Sequence, residues 1–89
     1  MKRDKVLDEA KALVTKDRAD KHGNLENNFA AIASYWSIHL GIKVLPADVG
    51  VMMNLLKIAR IKGNRKEKDN YLDGAGYMAC AAEVEGDLK

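Results

Sequence analysis

Apolar residues recur at three- and four-residue spacing along this whole chain, and nowhere do they alternate with polar ones for the length of a strand. That periodicity predicts an all-α fold and excludes a sheet. It resolves into helices over about 4–16, 25–39, 46–62 and 69–85. In the first, Asp4 is the candidate N-cap and Val6, Leu7, Ala10, Leu13 and Val14 form one stripe. Asn24 caps the second, in which Leu25, Phe29, Ile32, Trp36 and Leu40 share a face and Gly41 is the terminator. Pro46 opens the third, with Asp48 in the turn where the helix dipole favours an anion. Val49, Met52, Met53, Leu56 and Ala59 are its expected inner stripe, and Gly63-Asn64 ends it. In the fourth, which Gly86 closes, Leu72, Ala75, Ala79 and Ala82 are expected to face inward. Its middle, Gly74-Ala75-Gly76, costs about 1 kcal/mol of helix propensity per glycine relative to alanine. A helix that accepts this is expected at the centre of the molecule, where small residues admit a neighbour's backbone.

Eighty-nine residues make one domain. A chain of that size hides only roughly 60–65% of its unfolded surface when it folds alone. A compact four-helix bundle completed by oligomerisation is therefore the expected architecture. No apolar run reaches the length of a membrane span, and the charged start Met1-Lys2-Arg3-Asp4-Lys5 does not read as a secretory signal. One cysteine, Cys80, excludes an internal disulfide and a cysteine-based zinc site. A soluble cytoplasmic protein without a membrane partner is the expectation.

Several polar residues fall on the inward side of these helices. At 100° per residue Arg60 lies among Val49, Met53 and Leu56, with Lys57 at the edge of the stripe. An inward arginine requires an acidic or phosphate partner, because an unpaired buried charge is very costly. Asp69, Asp73 and Glu83 lie along one flank of the fourth helix, with Gly76 opening space and Tyr77 adjoining. Glu26 stands beside the core stripe of the second helix, near the polar loop His22-Gly23. Each has a plain structural reading: Arg60 with Asp73 or Glu83 as a register-fixing ion pair, Asp69 as an N-cap, Cys80 as a small buried hydrophobe. The functional reading joins them. Glu26, Asp69 and Asp73 would hold a hard cation, Mg²⁺ being the usual one. Lys57 and Arg60 would hold phosphate oxygens. Arg18, His22, Asn24, Asn27 and Asn28 would read a base or sugar, and Tyr77 or Trp36 would stack on it.

The segments Arg18…His22-Gly23…Glu26-Asn27-Asn28-Phe29, Ala33-x-x-Trp36-Ser37-x-x-Leu40-Gly41, Asp48-Val49-x-x-Met52-Met53-x-Leu55-Leu56-Lys57-x-Ala59-Arg60 and Asp69-Asn70-Tyr71-x-Asp73-x-x-Gly76-Tyr77 resemble a family of small phage- and prophage-borne proteins of unknown function. The resemblance runs from Leu7 to about Glu85. More distantly, the His22-Gly23 loop, the Lys57-x-x-Arg60 pair and the Asp69-x-x-x-Asp73-x-x-x-Tyr77 helix resemble the MazG-like all-α NTP pyrophosphohydrolases and phage nucleotide-modification domains. That resemblance implies a helical dimer or tetramer with a nucleotide and Mg²⁺ between helices. MazG-like enzymes carry an E-x-x-E pair and an E-x-x-D pair on successive helices. Here the second helix has Glu26 with Ala30 one turn on, and the fourth has Asp69 and Asp73 at a different spacing.

A nucleotide-binding protein is the leading expectation, either a Mg²⁺-dependent pyrophosphohydrolase or a non-catalytic sponge for a nucleotide signal of host defence, acting in the host cytoplasm if phage-encoded. A helical protein-interaction module is the alternative. Nucleic acid as a partner has only the basic loop from Arg60 to Lys68 in its favour, at a net charge of +2.

Overall fold

A computed structural model describes residues 1–17 and 24–89, and every regular element among them is helical. Helix α1 spans Arg3–Ala12 and continues into a π-helical turn, Leu13–Asp17. Helix α2 spans Leu25–Leu40, α3 spans Pro46–Gly63 and α4 spans Lys68–Glu85. Four helices were expected at nearly these bounds. The first differs, because Lys2 rather than Asp4 precedes it and its last turn widens. In that turn the Thr15 hydroxyl donates to the Lys11 carbonyl at 2.7 Å.

Local chemistry explains the ends. The Asn24 side chain accepts from the Asn27 backbone N–H at 2.9 Å, and so satisfies one orphan donor of α2. Gly41, at φ 71°, turns the chain out of α2 in the left-handed region that a side chain disfavours. The Asp48 carboxylate accepts from the Leu45 N–H at 2.9 Å, just ahead of Pro46. Ser37 then fixes the return to α3. Its hydroxyl donates to the Ala33 carbonyl at 2.7 Å and accepts from the Val44 N–H at 2.7 Å, which seats Val44 in the core. Between α3 and α4, the Tyr71 hydroxyl donates to the Arg65 carbonyl at 2.8 Å.

Helix α4 is the centre of the molecule and packs against α1, α2 and α3. Burial is accordingly spread around it, over Asn70, Leu72, Gly74, Gly76, Cys80 and Ala81, rather than along the expected stripe of Leu72, Ala75, Ala79 and Ala82. Glycines set the spacing. A Cβ on Gly50 would lie 2.7 Å from the Tyr77 carbonyl oxygen and 2.8 Å from the Ala81 Cβ. One on Gly76 would lie 2.8 Å from Val14, so α1 leads into an equally close contact on the other side. Phe29, Ala33, Val44, Val49 and Cys80 form the buried core, with Trp36, Met53 and Tyr77 packed on it.

The close α3–α4 approach turns α3 about a quarter turn from the expected orientation. Its inward side is Val49, Gly50, Met53, Asn54, Lys57 and Ile61, while Met52, Leu56, Ala59 and Arg60 are exposed. The reason is that α3 is apolar on two sides, so apolar periodicity does not select between them. The smallest residue does, by admitting α4.

Replacing Gly50 with alanine therefore lowers stability by about 1–2 kcal/mol through overpacking, in spite of the better helix propensity. Gly63→Ala, where nothing lies within 4 Å of the added methyl, raises stability by about 0.4–1 kcal/mol. Urea unfolding of the two variants checks the contrast.

Candidate functional site

The α3–α4 seam contains a polar cluster. The Lys57 ammonium meets an Asp73 carboxylate oxygen at 2.9 Å, and the two side chains are 12% and 35% exposed. Asn54 stands one turn before Lys57 on α3, and the buried Asn70 stands one turn before Asp73 and Gly74 on α4. Gly74 lacks a side chain where one would strike the Asn54 amide oxygen at 2.7 Å. The helices thus close around Asn54 and Lys57 together.

Beside this cluster lies a cleft of about 210 Å³ between α2, α3 and α4, lined by Asn28, Phe29, Ile32, Trp36, Val49, Met53 and Tyr77. Its lining is apolar and aromatic, with Asn28 and Tyr77 as the residues that carry polar groups. Lys57 follows Met53 by four residues and Asp73 precedes Tyr77 by four, so the ion pair lies one helical turn, about 6 Å, beyond the cleft. Arg60 follows Met53 by seven, on the same side and a further turn along.

The structure brings some of the expected site residues together and separates others. Asn28 and Tyr77 share the cleft. Lys57 and Asp73 are ion-paired. Arg60 was expected inward with an acidic partner; it is exposed, and among the described residues it has no ion pair. The quarter turn of α3 moved Lys57 into the place expected for Arg60. Asn24 and Asn27 are exposed at the start of α2, where Asn24 acts as the cap. Glu26 is exposed in the same turn. Asp69 is exposed and does not cap α4, whose N-cap position is Glu67. Arg18 and His22 lie outside the described residues. Among the described residues, no three of His, Cys, Asp and Glu are grouped to hold a metal ion. The carboxylates of Glu26, Asp69 and Asp73 do not fit a Mg²⁺ cage as they stand, since two face solvent and the third is held by Lys57.

Sequence reasoning missed Asn54 and Asn70. Asn54 carried a signal, because it follows Gly50 by four and precedes Lys57 by three, on the side where the glycine permits contact. It also missed the tie between α1 and α4, in which Lys68 approaches Glu9 at 3.4 Å while the other Glu9 oxygen is buried without a hydrogen bond.

Residues 5–85 match the family described as a domain of unknown function, DUF6378, and the chain belongs to it. Among its relatives, the Gene 55 protein of Mycobacterium phage D29 is 35% identical over 79 residues, which cover 89% of this chain and 52% of that protein. The Gene 55 protein of Mycobacterium phage L5 is 38% identical over 81 residues, covering 90% of this chain and 52% of the relative. The chain thus spans about half the length of these phage proteins. No solved structure matches. Among the described residues no helix is long and apolar enough to cross a membrane.

Removing one partner of the Lys57–Asp73 pair tests its contribution. Asp73→Asn costs about 1–2 kcal/mol, because it leaves the more deeply buried ammonium without its counter-charge. Lys57→Met costs less, since Asp73 keeps access to water. A double-mutant cycle in urea gives a coupling of about 1 kcal/mol.

Proposed function

We propose that this chain binds a nucleotide or nucleotide-derived molecule and releases it unchanged. The ring occupies the cleft against Tyr77 and Trp36, with Asn28 as its polar contact, and the phosphates extend along the α3–α4 groove to Lys57 and Arg60. The observation that carries this reading is the succession along one groove of an aromatic cleft, a half-buried lysine one turn away and an exposed arginine a turn further. The ring system of a base suits a cavity of about 210 Å³ better than a whole nucleotide does, so the phosphates lie outside it. The resemblance to MazG-like domains supports the same ligand class.

Binding without turnover is favoured by the state of the carboxylates. Asp73 is already paired with Lys57, and Glu26 and Asp69 face solvent. In this reading Mg²⁺ accompanies the ligand on its phosphates rather than resting in a protein cage. The phage origin of the relatives fits a role in sequestering a nucleotide signal of host defence in the host cytoplasm.

A single incubation tests the reading. The purified chain is mixed with a pool of nucleotides, cyclic ones included, with and without Mg²⁺. Bound and free fractions are separated, denatured and weighed by mass spectrometry. An unaltered nucleotide in the bound fraction is expected, and Arg60→Ala weakens its retention about tenfold, the equivalent of roughly 1.4 kcal/mol. A new monophosphate with pyrophosphate would make the protein a hydrolase instead. Retention of nothing would leave a helical interaction module, a reading supported by Tyr35 and Ile38, which stand 72% and 80% exposed on α2.

A further inference from the structure

Helix α3 is apolar on two sides and buried on one. Its inward side meets α2 and α4, while Val51, Met52, Leu55, Leu56 and Ile58 remain 36–57% exposed. A second apolar stripe on a helix is normally covered as the first one is. We propose that the outer face of α3 is covered by the same face of a second copy of this chain, the two helices running antiparallel about a two-fold axis at Leu55. The proposal is independent of the ligand reading and stands or falls without it.

The pattern of residues selects this occupant. At 100° per residue, Asp48, Val51, Met52, Leu55, Ile58, Ala59 and Lys62 lie within an arc of about 120° on the side opposite α4. The set is symmetric about its own middle. In an antiparallel pair centred on Leu55, Val51 faces Ala59 of the partner subunit, and Met52 faces the partner subunit's Ile58. Asp48 faces Lys62 of the partner subunit. An acid at one end of the stripe and a base at the other thus become two opposite-charge contacts at the rim. A parallel pair would instead set acid beside acid and base beside base. Self-complementarity of this kind is what a two-fold interface requires. Asp48 and Lys62 are about 21 Å apart along the helix, so neither neutralises the other within one chain.

Area points the same way. The five large side chains expose on the order of 400 Å² of apolar surface, within the range of the largest patch on a typical monomer. Two copies face to face bury on the order of 800 Å² from these side chains, and the exposed parts of Asp48, Ala59 and Lys62 at the edges bring the total to about the 1,000 Å² at which a specific interface begins.

The experiment combines mass in solution with crosslinking. Sedimentation equilibrium of the wild-type chain at about 50 μM is expected to give a dimer. Leu55→Asp, at a position 57% exposed in the single chain, is expected to raise the dissociation constant at least tenfold with an unchanged helical circular-dichroism spectrum. A mixture of Val51→Cys and Ala59→Cys chains is expected to form a disulfide on mild oxidation, whereas Val51→Cys alone does not, because antiparallel helices hold those two positions about 12 Å apart along the axis. Cys80 is buried and gives a silent background in the wild type. A wild-type monomer at this concentration would overturn the proposal, as would a dimer that survives Leu55→Asp or a Val51→Cys chain that crosslinks to itself.

Discussion

The close approach of α3 to α4 governs this molecule. Gly50 lets α3 settle onto the Tyr77 carbonyl and Ala81, and Gly74 lets α4 settle around Asn54. A side chain at Gly50 would strike the backbone of α4 and overpack the seam, while one at Gly74 would displace the Asn54 amide. With the axes held close, the rotation of α3 follows. Lys57 enters the seam, Arg60 stands exposed beyond the cleft on the side of Met53, and Met52 and Leu56 are carried outward. The two glycines weaken both helices as isolated segments, and the tertiary contact compensates for that loss.

The ion pair and the cleft both depend on that approach. Lys57 reaches Asp73 because both stand on the seam, and the direct contact at 2.9 Å neutralises an ammonium that would otherwise be costly to bury. Tyr77 plays two parts one turn away. Its carbonyl lies where a Gly50 side chain would project, while its ring lines the cleft with Trp36 and Phe29. Any shift of α3 along α4 therefore moves the cleft wall and the cation together, which makes the groove one unit rather than two neighbouring features.

The helix ends were legible in the sequence because their chemistry is local. Asn24, Gly41, Pro46, Asp48 and Gly86 each act within a few residues of their own position. The core membership of Phe29 and Cys80 was legible as well, as was the packing of Trp36 against that core. The facing of α3 was not, because large apolar residues lie on both its sides and apolar spacing favoured Met52 and Leu56 over Gly50 and Asn54. Burial on α4 was misjudged for a related reason. A helix contacted by three others has no single inner stripe. Of the site, Lys57 with Asp73 and Asn28 with Tyr77 were named in advance without their pairing, which depends on distances between helices that spacing along one helix does not encode. Arg18 and His22 lie outside the described residues.

Trp36 is the chain's single tryptophan, and it lines the cleft. All indole emission from the protein therefore originates at one wall of one cavity, half in contact with the core and half open to whatever enters. The molecule carries its own optical reporter at the place where occupancy matters, with no other tryptophan to dilute the signal.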